Sequence, residues 1–174
     1  MNSSTVVNSS ETEFDQNLNA LRNISFFSEL GLQPLKALAY LCKRIRYRPD
    51  DYIFTQGDLD TQAYCLLSGA ARVIRDEDER QVVLRVLETG AFIGALSLVA
   101  QTKRLFSLQA VEPTLCLVLP QKHFLNLVSK SPDLSANFFK ALYRSLYRWE
   151  EELLSRTNRQ DLQQAKDFLG VTLL

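Results

Sequence analysis

The sequence predicts a chain that is mainly β with flanking α. The expected architecture is a double-stranded β-helix, or jelly-roll, barrel with N-terminal helices and a long C-terminal helix. Three observations predict it. Between Pro49 and Leu119, turn residues recur about every eight to twelve positions, the punctuation of an all-β domain. The apolar runs between those turns are short, and no helix alternates with them as in a βαβ layout. On both sides of this region, apolar residues fall at helical spacing.

The elements follow in order. Met1 to Gln16 is rich in Ser, Thr, Asn and acids, has neither a basic nor an apolar leader region, and reads as a disordered lead-in, 1–16. Leu18 to Ile24 reads as one amphipathic helical piece, and Phe26 to Leu30 as a short turn. A helix runs from Pro34 to Cys42, with Leu35, Leu38, Ala39 and Cys42 on one stripe and Pro34 suited to its start. Arg44, Arg46 and Arg48 alternate with Ile45 and Tyr47, as on a half-exposed strand. That strand is either a solvated sheet face or a surface for an anionic partner. Strands are expected at Tyr52 to Phe54, Ala63 to Leu67, Ala71 to Ile74, Gln81 to Leu87, Leu105 to Ala110 and Leu115 to Leu119. Asp76 to Glu79 forms a solvated hairpin tip.

Gly90 to Ala110 is the stretch that carries chemistry. Gly94 precedes a short apolar helical turn, and Arg104 opens the strand that follows. Alternation along that strand puts Arg104, Phe106, Leu108 and Ala110 on one face. Three of the four are apolar, so the face points into a core. An arginine there must find an anion, because an unpaired buried charge costs several kcal/mol. That anion is a bound ligand or an acidic side chain of the chain itself.

After Pro120 the pattern is helical. Lys122 to Ser129 is a short helix, and Ser131-Pro132-Asp133 stops it and starts the next. In that helix Phe139, Leu142, Leu146, Trp149 and Leu153 fall at alternating steps of three and four, an a/d seam. The seam serves a dimer interface or packs on its own barrel. Tyr143 and Tyr147 offer a second stripe for the barrel in the dimer case. A last small helix is expected at Asp161 to Leu169, ended by Gly170. The expected division is thus 1–16 lead-in, 17–130 barrel with its N-terminal helices, and 131–174 C-terminal helices.

The totals narrow the function. Formal net charge is zero, which argues against a broad basic nucleic-acid surface. No apolar run approaches the roughly 20 residues that span a bilayer. Cys42, Cys65 and Cys116 are widely spaced and read as reduced structural thiols, which fits a cytoplasmic protein. His123 is the single histidine, so no metal site built from several histidines is available, and no histidine lies in the barrel to activate a nucleophile. No catalytic residue is assigned, and the chain is not expected to be an enzyme.

In this order the elements resemble the cyclic nucleotide-binding domain family: the sensor domains of catabolite activator-type regulators, the regulatory subunits of cyclic AMP-dependent kinase, and certain ion channels. The resemblance covers about residues 24 to 155. Pro49 to Asp58 is similar to the family's Pro-Gly-Glu-x-Ile-Phe-x-x-Gly-Asp, and Tyr64 to Gly69 to its strand ending in Ser-Gly. Gly90 to Leu98 and Lys103 to Leu108 are similar to its ligand cassette, Gly-Asp-x-Phe-Gly-Glu-x-Ala-Leu followed by Pro-Arg-Ala/Ser-Ala-Thr-Val. The resemblance implies a ligand site of Gly94, Ala95, Leu96, Arg104 and Leu105. Backbone N–H groups of Gly94, Ala95 and Leu96 would receive a cyclic phosphate, and Arg104 would pair with it.

Three departures stand out. The family glutamate that accepts the ribose 2′-hydroxyl is Ala95, the Asp after the first glycine is Ala91, and the small residues after the arginine are Leu105 and Phe106. The implied function is a non-catalytic regulatory sensor with the phosphate grip kept and sugar recognition lost, cyclic AMP or cyclic GMP being the implied ligand and no other cofactor. It would be a homodimer through the C-terminal helix, with a protein effector as output. The alternative is a ligand-free domain acting as an interaction scaffold. Direct DNA binding is not expected, because the short segment after residue 155 holds one helical pattern where a helix-turn-helix needs two.

Overall fold

The computed structural model describes residues 12–28, 30–77, 80–130 and 132–156. Helix α1 (Glu13–Asn23) starts earlier than the polar composition predicts. Thr12 caps it: its hydroxyl accepts from the Asp15 amide, and the Asp15 carboxylate accepts from the Thr12 amide. Residues 13 to 16 therefore belong to the helix and not to the lead-in. A 3₁₀ turn (Ser25–Phe27) leads to α2 (Leu32–Leu41).

Ten strands follow: β1 (Lys43–Tyr47), β2 (Tyr52–Phe54), β3 (Leu59–Asp60), β4 (Gln62–Ser68), β5 (Ala71–Glu77), β6 (Arg80–Leu87), β7 (Phe92–Ile93), β8 (Thr102–Lys103), β9 (Ser107–Ala110) and β10 (Thr114–Pro120). A second 3₁₀ turn, Ala95–Leu98, lies between β7 and β8. Two helices close the described chain, α3 (Gln121–Val128) and α4 (Pro132–Arg156). No described helix is long and apolar enough to cross a membrane. The helix expected at Asp161 to Leu169 lies outside the described residues, as do Asp78 and Glu79 of the hairpin tip.

The strands form two antiparallel four-stranded sheets, ordered β1-β10-β4-β7 and β2-β9-β5-β6, and a small ribbon, β3-β8. The jelly-roll reading holds, with the hydrogen bonding divided into three sheets and not continuous around a closed barrel. Strands β4 and β10 are the partition. Tyr64, Leu66, Cys116 and Val118 face the barrel core, together with Ile53, Phe54, Val73 and Leu108 from the opposite sheet. Ala63, Cys65, Leu117 and Leu119 face the helices. Burial on both faces explains why these two strands read as unbroken apolar runs instead of alternating.

The helical core is built on aromatic rings. Phe26, Phe27, Phe92, Phe124 and Phe138 contact one another with centroid spacings of 4.7 to 6.3 Å. This settles which side of α4 meets the body. Phe138 and Ala141 are buried, whereas Tyr143 and Tyr147 are exposed, so the expected tyrosine stripe does not pack on the barrel. Phe139 and Leu146 are exposed, and Leu142 is half-buried against the helical core. The side chains of Trp149 and Leu153 lie outside the described residues.

The three cysteines are free. At Asp50 the backbone takes φ 69°, a left-handed conformation, where the family motif has glycine. Its amide donates to the Ala110 carbonyl, and its carboxylate meets Arg72 at 3.0 Å.

Candidate functional site

Arg104 does not sit on a strand. The extended run begins three residues later, at Ser107, so strand alternation is not what buries the arginine. It is placed by the β3–β8 ribbon, where Leu59 pairs with Lys103 and Asp60 with Thr102. The Arg104 amide donates to the Asp58 carbonyl at 2.8 Å, and its carbonyl accepts from the Gly57 amide at 2.8 Å. These bonds point the side chain inward, leaving it 6% exposed.

The guanidinium is fully engaged on one edge. Nε and Nη2 donate to Asp60 Oδ2 at 3.1 and 2.7 Å, and Nη2 also donates to the Gln62 carbonyl at 2.6 Å. Asp60 is itself 12% exposed, and its Oδ2 accepts a further bond from the Tyr64 hydroxyl at 3.1 Å. The Arg104 Cζ lies 4.2 Å from the Phe54 ring centroid and 5.5 Å from that of Tyr64, both favourable for a cation. Burial, and next the Asp60 carboxylate, hold the Tyr64 hydroxyl well above its ordinary pKa, so it donates as a neutral phenol. The anion that the sequence demands of Arg104 is thus supplied inside the chain, by Asp60.

The other end of the guanidinium lies against Gly94. A Cβ built there would fall 2.8 Å from Nη1 and 2.9 Å from the Gln62 carbonyl oxygen, and Gly94 has φ 89°. Only glycine fits both the conformation and the space. The Ala95–Leu98 turn starts at this point. The Ser97 amide donates back to Gly94, so the amides of Ala95 and Leu96 open the turn with no carbonyl behind them within it. The turn is tied down by Ser97 Oγ with Thr102 Oγ1 at 2.7 Å, and by Gln121 Nε2 donating to the Ser97 carbonyl at 2.9 Å. The Gln121 amide in turn donates to the Thr61 carbonyl.

The structure therefore brings Gly94 against Arg104, while Ala95, next in the chain, packs its side chain on the helical core. Leu96 begins the same turn with its side chain half in solvent, and Leu105 stands out at 75% exposure. Phe106 is half-buried and packs on Phe54 at 5.6 Å between centroids, filling part of the barrel beside the arginine. Sequence reasoning missed Asp60. The signal was present, since an arginine that needs an anion has few candidates near the Gly57-Asp58 turn. Pairing across 44 positions still requires the two-residue ribbon, which carries no periodicity.

Similarity to known proteins decides the family. Residues 44–131 match the cyclic nucleotide-binding domain. The chain belongs to that family. It is 33% identical over 127 residues to the cyclic AMP receptor protein of Thermus thermophilus, a match covering 71% of this chain and 58% of that protein. The solved Thermus thermophilus catabolite activator protein superposes with a TM-score of 0.60 at 31% identity, over 74% of this chain and 61% of that one. The N-terminal domain of a transcriptional regulator from Streptomyces coelicolor gives a TM-score of 0.70 at 20% identity, over 80% of this chain and 99% of that domain. At that identity it speaks for the fold alone. This cyclic nucleotide-binding domain thus spans little more than half the length of its Thermus relative.

Proposed function

We propose that this chain is a non-catalytic, intracellular regulatory module that senses a phosphate-bearing ligand at Arg104, with cyclic AMP or cyclic GMP as the first ligands to test. The observation that carries the reading is the buried guanidinium whose Nη1 end meets Gly94 at the opening of the Ala95–Leu98 turn. A buried cation beside the glycine that opens a helical turn is an arrangement suited to an anion. By the family resemblance, the carboxylate that would hold a ribose 2′-hydroxyl is missing at Ala95. A lost hydrogen bond of that kind costs on the order of 1–3 kcal/mol, about 5- to 150-fold in affinity. Binding is therefore weak. The exposed Phe139 and Leu146 support a homodimer through α4 as the output surface, read by a protein effector.

The second reading is a ligand-free interaction scaffold. It is favoured by the Asp60 carboxylate already neutralising Arg104 and by Phe106 packed at a tilt on Phe54. Calorimetry with cyclic AMP and cyclic GMP separates the two. The sensor reading expects Ala95→Glu to strengthen binding by about 5- to 150-fold. Absence of heat with both nucleotides, in the original chain and in the folded Ala95→Glu variant, leaves the scaffold.

A further inference from the structure

We infer that Asp60 is an internal competitor for the ligand's phosphate, and that this one carboxylate sets how readily the site accepts an anion; the inference rests on the sensor reading of Arg104. Three observations carry it. Asp60 uses a single oxygen, Oδ2, to accept from both Nε and Nη2 of Arg104, so it occupies the guanidinium edge best shaped for a two-oxygen anion. The pair is nearly closed to water, with side-chain exposures of 6% and 12%. Around it the chain supplies the Gln62 carbonyl, the Tyr64 hydroxyl and the Phe54 ring, none of them a second positive group.

A phosphate reaching Arg104 meets a cation whose charge is already cancelled. It must either displace the carboxylate or sit beside it, and two anions sharing one cation at short range in a water-poor site repel strongly. The alternative role for Asp60 is to aim Arg104 at the ligand. The two roles have opposite signs. Removing a competitor strengthens binding, whereas removing a support weakens it.

The test uses cyclic AMP as probe in the Ala95→Glu background, with Asp60→Asn as the added change. Asparagine keeps the shape and an acceptor oxygen for Nη2 while removing the charge. Asp60→Ser is the second variant, carried through in parallel and scored only where circular dichroism and a cooperative melt show the native fold. Competition predicts that either added change tightens cyclic AMP binding by about 10- to 100-fold, as expected for removing one repelling charge from a partly screened site. Binding that appears only when the carboxylate is removed supports the inference equally. Measurable binding in Ala95→Glu that is unchanged or weakened by both added changes overturns the competitor role and leaves the sensor reading standing. No binding in any folded variant overturns both.

Discussion

Replacing Gly94 with alanine tests how tightly Arg104 is held. The backbone there has φ 89°, and forcing an alanine into a left-handed conformation costs about 1–2 kcal/mol. The new methyl also lands 2.8 Å from Arg104 Nη1 and 2.9 Å from a main-chain oxygen, that of Gln62. The oxygen belongs to a paired strand, and the guanidinium is pinned by Asp60, so neither can retreat cheaply. Overpacking of this kind costs about 1–3 kcal/mol. The total is about 2–5 kcal/mol, or about 4–20 °C in melting temperature for a chain of this size. Gly90→Ala is the matched control. Gly90 has φ 90° but open space around its Cβ position, so it carries the backbone cost alone. Calorimetric or chemical melts of both variants isolate the contact as the difference between them. A Gly94→Ala variant that melts within about 1 °C of Gly90→Ala would refute the close approach of arginine and glycine.

Three further outcomes are expected. Phe138→Ala removes a ring that is 2% exposed and should cost about 3–5 kcal/mol in unfolding experiments. Phe139→Ala, at 60% exposure, should change the stability of the dilute protein by less than about 0.5 kcal/mol while weakening any self-association seen by sedimentation. Burial raises the Cys65 thiol to about 11, and burial with the nearby Cys65 raises Cys42 and Cys116 to about 12. Unfolded, these thiols ionise near 9, so their contribution to stability is full below that value. It falls as pH rises toward 11 and 12, because the unfolded chain releases protons first. Thiol titration at pH 8 should accordingly find all three unreactive until denaturant is added.

The parts legible in the sequence are those where one physical pattern dominates. Turn punctuation is enough to locate the larger strands, including Leu115 to Leu119, whose unbroken apolar run the structure explains by cover on both faces. The cassette and Arg104 followed from family motifs, and the demand for an anion followed from burial alone. The unread parts depend on contacts between distant segments. Two-residue strands such as β3 and β8 have no period to detect, so Asp60 stayed hidden beside an obvious turn. Alternation of Phe106, Leu108 and Ala110 predicts Arg104 on the same strand, yet the backbone becomes extended only at Ser107. On α4 both the Phe138–Ala141 and the Tyr143–Tyr147 stripes satisfy helical spacing. Only the cluster of phenylalanines from the N-terminal turn and α3 decides which one turns inward.

The bonds around the arginine close into a ring. Arg104 holds the Gln62 carbonyl, and the adjoining Thr61 carbonyl holds the first amide of α3. The side chain of that same residue, Gln121, grips the turn that begins at Gly94, which rests against the guanidinium. The seat of the C-terminal helices and the buried charge of Arg104 are therefore parts of one small mechanical frame. Gln121→Ala cuts a single strut of it: Arg104 keeps its own bonds, and the turn loses its side-chain tie to the helix while still packed on it.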